Sequence, residues 1–111
     1  MALLIGSVET TPVANGATFI ARVVTVTTAG TPVQAPTFAI PDSFGVAVRA
    51  HRDNGVKILY VAPSSADVID ATKRISLGKG ESMVLKVNNV DDIWFDSSVN
   101  GTKAEVLVEQ A

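Results

Sequence analysis

The chain has a single histidine, His51, followed directly by Arg52 and Asp53. An imidazole beside a carboxylate is the beginning of a general-base arrangement, but such a base needs a nucleophile and a pocket, and the neighbouring residues identify neither. A histidine exposed at a strand end is the better reading, so no catalytic residue is assigned and the chain is not expected to be an enzyme. Acids gather at Asp91, Asp92 and Asp96, with Asp67 and Asp70 on a preceding segment. Paired carboxylates serve glycoside hydrolysis or calcium coordination. In a strand, however, Asp92 and Asp96 share a face while Asp91 points away or lies in the turn, and no twelve-residue loop with its fixed glycine is present. Solvated loop and strand-end acids are expected, with no metal and no cofactor. Gly78-Lys79-Gly80 lacks the longer phosphate-binding pattern and the helix that would supply backbone donors, so it reads as a hairpin or corner.

Trp94 poses a different question. It lies between Asp92 and Asp96 on one strand face, opposite Ile93 and Phe95. If Ile93 and Phe95 fill the core, the indole faces outward, where a large ring marks an interface or a sugar platform, or else covers an open end of the core. Leu107, between Glu105 and Glu109, poses the same question. The apolar run Ala2-Leu3-Leu4-Ile5 adds an edge strand or reaches out to a partner. Leu3, Leu4, Ile5, Trp94 and Leu107 are therefore the candidate partner contacts. A carbohydrate-binding module using Trp94 and Tyr60 is the alternative of a different class, although one Trp and one Tyr make a thin platform.

The elements that must position these residues are strands. Val, Ile and Thr number 17, 7 and 10, against 6 Leu and 2 Met, and β-branched side chains favour the extended chain. Turn signals such as Asn15-Gly16, Asn54-Gly55, Gly78-Lys79-Gly80 and Asn100-Gly101 leave short runs at residues 3–10, 18–27, 33–40, 46–51, 56–62, 74–77, 82–87, 92–96 and 104–109. Eight or nine short strands predict an all-β fold, an antiparallel sandwich of jelly-roll type, as one domain over residues 1–111 with residues 1–10 as an N-terminal arm or edge strand. Asn54-Gly55 suits a primed turn, which would make 46–51 and 56–62 a hairpin. Alternation places Val46, Val48 and Ala50 on one face with Arg49 and His51 opposite, and groups Met83, Leu85 and Val87 toward the core. In 18–27 the apolar parity shifts near Val23-Val24, as at a β-bulge or a strand buried on both faces. The segment 31–41, with Pro32, Pro36 and Pro41, reads as a long connection or edge strand. Helix is confined to one short turn capped by Ser65, with Asp67 near its positive end.

Composition excludes further functions. A net charge of −2, with nine scattered Lys and Arg, offers no attraction to a phosphate backbone. The absence of cysteine removes disulfides and thiolate metal sites. The opening Met-Ala-Leu-Leu-Ile-Gly is too short for a secretory core, and no run approaches a membrane span. A soluble chain with neither nucleic-acid nor membrane partners is expected. Its charged fraction of 18% lies below the roughly 25% usual for soluble domains, which suits a surface that completes its burial against other subunits.

Residues 45–109 carry a resemblance as a whole. The stretch reads Gly45-Val-Ala-Val-Arg-Ala, Asn54-Gly55, Ile58-Leu-Tyr-Val-Ala-Pro-Ser, Ile75-Ser-Leu-Gly-Lys-Gly-Glu-Ser82, Val87-Asn-Asn-Val, Ile93-Trp-Phe-Asp-Ser-Ser98 and Ala104-Glu-Val-Leu-Val-Glu109. It resembles the small β-structured virion proteins of tailed bacteriophages, and in length and acidity the capsid decoration, or staple, proteins of epsilon15-like short-tailed phages. The resemblance implies a jelly-roll-like sandwich on the outer surface of the virion capsid, made in the bacterial host cytoplasm, that bridges neighbouring major capsid protein subunits and resists the pressure of packaged DNA. It implies no catalytic residue. A site on a local two-fold would favour a homo-oligomer, most simply a dimer. A tail or spike position for the same fold is the structural alternative.

Overall fold

The computed structural model describes residues 18–40 and 45–110. Among the described residues, eight strands form two antiparallel four-stranded sheets. In chain order they are β1 (Thr18–Val26), β2 (Val33–Gln34), β3 (Val46–Ala50), β4 (Leu59–Ala62), β5 (Ile75–Leu77), β6 (Ser82–Leu85), β7 (Trp94–Ser97) and β8 (Thr102–Gln110), with one helical turn, α1 (Ser65–Val68), between β4 and β5. One sheet has the order β1-β8-β3-β6 and the other β2-β7-β4-β5. Among consecutive strands, only β4 and β5 are direct neighbours, so nearly every connection crosses from one sheet to the other. That is the strand order of an eight-stranded jelly roll, and the expected all-β sandwich is the fold.

The alternation along the strands builds the core. Val46, Val48 and Ala50 point inward from β3 and are paired across the sheet with Val108, Val106 and Ala104 of β8. Met83 and Leu85 of β6 join the same inner face, opposite Val48 and Val46. From the other sheet Leu59, Val61, Leu77 and Phe95 complete the interior, with Ile93 just ahead of β7. Phe95 and Leu59 are fully buried, the environment in which each is worth about 2–3 kcal/mol of transfer free energy.

Four local expectations need correction. First, 46–51 and 56–62 do not form a hairpin: β3 pairs with β6 and β8, and β4 with β5 and β7. Asn54-Gly55 is instead a corner between sheets. A 3-10 turn over Arg52–Asn54 leads into Gly55, at φ +64° and ψ −125°. The Asn54 amide does not serve a hairpin turn; its Nδ2 donates to the Lys103 carbonyl and its Oδ1 accepts from the Lys103 N–H, both at 2.9 Å. Second, β1 has no bulge. It pairs with β8 without interruption from Thr18↔Gln110 to Val26↔Thr102. The apolar residues change parity because both faces of β1 carry them: Val24 and Val26 are buried inward, while Phe19 and Val23 stand exposed on the outside. Third, 33–40 is a two-residue strand followed by an isolated bridge, Ala39↔Asn89. Fourth, the cap of α1 is Ser64, whose Oγ accepts from the Asp67 N–H at 3.1 Å, and not Ser65. Gly78-Lys79-Gly80 is a corner, with the Gly80 N–H donating to the Ala50 carbonyl at 2.8 Å. The expected strand at 3–10 lies outside the described residues.

Candidate functional site

The polar residues singled out by type are occupied in holding loops. His51 caps the 3-10 turn, its Nδ1 accepting from the Asp53 N–H at 3.1 Å, and so has no free lone pair on that nitrogen. Asp96 is buried, and its Oδ1 accepts from the Gly30 N–H at 2.8 Å, tying the loop after β1 to β7. Asp91 accepts from the Thr37 hydroxyl at 3.0 Å. Asp92 stands in a 3-10 turn, not in a strand as its spacing suggested, and closes a capping box with Asn89. Among the described residues no three His, Asp or Glu side chains lie together as a metal cage requires.

Trp94 and Leu107 are placed on opposite outer faces of the sandwich. Trp94 is half-buried on the outside of the β2-β7-β4-β5 sheet, between Gln34 and Ala62 in register. The turn α1 lies against β4 and β7 on this sheet. Tyr60, two residues before Ala62 on β4, is covered by the Arg74 guanidinium at 3.5 Å from its ring centre. One face of that phenol is therefore already stacked, which narrows the sugar platform further. Leu3, Leu4 and Ile5 lie outside the described residues.

The other outer face is of a different kind. In the β1-β8-β3-β6 sheet the outward residues align in rows across all four strands. One row reads Ala21, Leu107, Ala47 and Val84, wholly apolar. The next reads Val23, Glu105, Arg49 and Ser82. Phe19 lies two residues beyond the first row on β1. Phe19, Val23 and Val84 are 61%, 58% and 55% exposed, which places three of the most exposed large apolar side chains on a single face. Three strand spacings make that face about 14 Å wide.

The only charges in those two rows neutralise one another. Arg49 Nε donates to Glu105 Oε1 at 2.6 Å. The hydrogen bond and the charge of Arg49 hold the Glu105 carboxyl below its usual range, against a smaller opposing effect of burial. The same partner raises Arg49. A pair satisfied within the sheet leaves these two rows without net charge. Sequence patterning identified Leu107 but missed Phe19, Val23 and Val84, because only the register shows that they share its face.

No protein-family model, no curated protein and no solved structure matches this chain.

Proposed function

We propose that this protein is a structural virion component that binds the outer surface of an assembled phage capsid, bridges neighbouring major capsid protein subunits, and stabilises the shell against internal DNA pressure. The observation that carries the reading is the apolar row of Ala21, Leu107, Ala47 and Val84, flanked by Phe19 and Val23 on the same face. Ala47 itself is buried beneath its neighbours, and the apolar surface exposed at Phe19, Val23 and Val84 on this one face is of the kind that marks association with another protein. The sequence resemblance over residues 45–109 supports the choice of partner, and the jelly-roll strand order supports the resemblance. A clip that binds only the assembled lattice stabilises it by mass action, and each copy that touches two subunits gains about 10²- to 10⁴-fold in apparent affinity from the second contact. A dimeric clip is part of the reading: β1 is a sheet edge of nine residues with no strand on its outer side among the described residues, and supplies an isologous contact.

The test is reconstitution. Capsids stripped of decoration are mixed with the purified protein, sedimented and heated. Co-sedimentation with a raised temperature of DNA release supports the proposal. Failure to bind, or binding with no gain in particle stability, overturns it, and occupancy confined to one vertex in electron micrographs moves the protein to the tail or spike.

A further inference from the structure

Two Asn-Gly dipeptides lie among the described residues, Asn54-Gly55 and Asn100-Gly101. The Asn54 corner is bonded to Lys103, two residues after Gly101, so both stand at one end of the sandwich. Such a dipeptide holds a latent reaction. The backbone nitrogen after the asparagine can attack the side-chain Cγ, and a glycine there has no Cβ to obstruct the approach. Whether the reaction runs depends on where the fold holds the carboxamide.

The two carboxamides are held differently. That of Asn54 is buried, and both its polar atoms are engaged, Nδ2 with the Lys103 carbonyl and Oδ1 with the Lys103 N–H. It cannot swing onto the Gly55 nitrogen without breaking both bonds and opening the corner. Asn100 is exposed in the turn between β7 and β8. Its Oδ1 accepts from the Ala29 N–H at 2.8 Å, while its Nδ2 donates to none of the described residues. The Ala29 bond draws electron density from Cγ and offers a donor to the oxyanion that forms on attack. The approach is also open, since a Cβ placed on Gly101 would meet only Lys57 Nζ, at 3.8 Å. One restraint remains, the bond from the Gly101 N–H to the Val26 carbonyl at 2.8 Å. It lies beyond the last rung of the β1–β8 ladder, Val26↔Thr102, where opening costs least.

We propose that Asn100 is a modification site, converted spontaneously to aspartate and isoaspartate in the folded protein, and that the fold protects Asn54 from the same reaction. The Gly101 nitrogen loses its proton to water or hydroxide and bonds to Cγ. The Cγ–Nδ2 bond breaks, and Nδ2 takes a proton from water and leaves as ammonia, which closes a five-membered succinimide. Water then opens the ring. Addition at Cγ releases aspartate, and addition at the backbone carbonyl carbon releases isoaspartate. Either product adds one negative charge to a chain whose net charge is −2. Aspartate keeps an acceptor for the Ala29 N–H. Isoaspartate routes the main chain through Cγ and so lengthens the turn that Ser97 and Thr102 fasten through the Val99 carbonyl.

The proposal does not depend on capsid binding and is tested on the isolated full chain. Folded protein and a sample in concentrated urea are incubated side by side at mildly alkaline pH. Tryptic peptides are then read for the mass gain of amide-to-acid conversion and labelled with an isoaspartyl methyltransferase. Cleavage after Arg52, Lys57, Lys86 and Lys103 puts the two asparagines on separate peptides. Asn100→Gln, whose longer side chain cannot close the five-membered ring, gives the background from Asn88 and Asn89. In urea both sites are expected to convert at similar rates. In the folded chain Asn100 is expected to convert at least about tenfold faster than Asn54, because the end of a ladder frays at far lower cost than a buried corner. Equal rates at the two sites in the folded chain, or conversion of Asn54 ahead of Asn100, overturn the proposal.

Discussion

At the scale of single residues, Asn54 joins two elements that are far apart in the chain. Its buried amide closes a two-way bridge to the backbone of Lys103, so it fastens the corner after β3 to the start of β8. Asn54→Ala takes the acceptor from the Lys103 N–H, while the Lys103 carbonyl keeps the His51 N–H, and is expected to cost about 1–3 kcal/mol in urea unfolding. The Arg49–Glu105 pair works differently, because both side chains remain partly open to solvent. Glu105→Gln is expected to cost under about 1 kcal/mol at neutral pH. Since folding lowers the Glu105 pKa, its contribution is complete above the ordinary carboxyl range near pH ~4.3 and fades as the pH falls through the lower folded-state value. Unfolding of both proteins along a pH series should therefore show two stability curves that are parallel at neutral pH and converge in acid. The corresponding lesson about legibility lies in Asn54-Gly55. The dipeptide correctly announces a turn, but a turn signal is local, and the choice between a hairpin and a crossing depends on which sheet the next strand joins.

At the scale of elements, the two faces of β1 differ in what they give to the core. Val24, Val26, Val106 and Val108 hold the core, whereas Phe19 and Val23 project from the opposite face and contribute little to it. Phe19→Asp combined with Val23→Lys is expected to shift unfolding by no more than about 0.5 kcal/mol, as exposed substitutions do, while abolishing co-sedimentation with capsids. A variant that loses stability and binding together would assign these side chains to the fold instead. Alternation made the inward faces of β3 and β6 readable from the sequence, because Val46, Val48, Met83 and Leu85 each follow a strict period of two. It failed in β1, where apolar residues occupy both parities and a local rule suggested a bulge. The distinction between a bulge and a two-faced strand rests on pairing with β8, some 76 residues or more away along the chain. Leu107 was legible by the same alternation, but its companions on β1 and β6 were not.

At the scale of the whole molecule, the strand order sets the folding problem. The first described strand pairs with the last, and β3 lies between β8 and β6, so few contacts form until distant segments meet. Such topologies fold in milliseconds to seconds, and refolding followed through the single Trp94 after a urea jump is expected to be slower than about 1 ms. A microsecond phase accounting for the full fluorescence change would contradict that ordering. The pairing of β1 with β8 also has a mechanical consequence. Thr18 stands opposite Gln110, so tension drawing these two ends apart would open the ladder like a zipper, loading one bond at a time. Traction along the strands, with β1 pulled from one end and β8 from the other, would be resisted by the whole ladder in parallel shear. A protein built this way is stronger when its load runs along the paired strands from opposite ends than when it draws Thr18 and Gln110 apart.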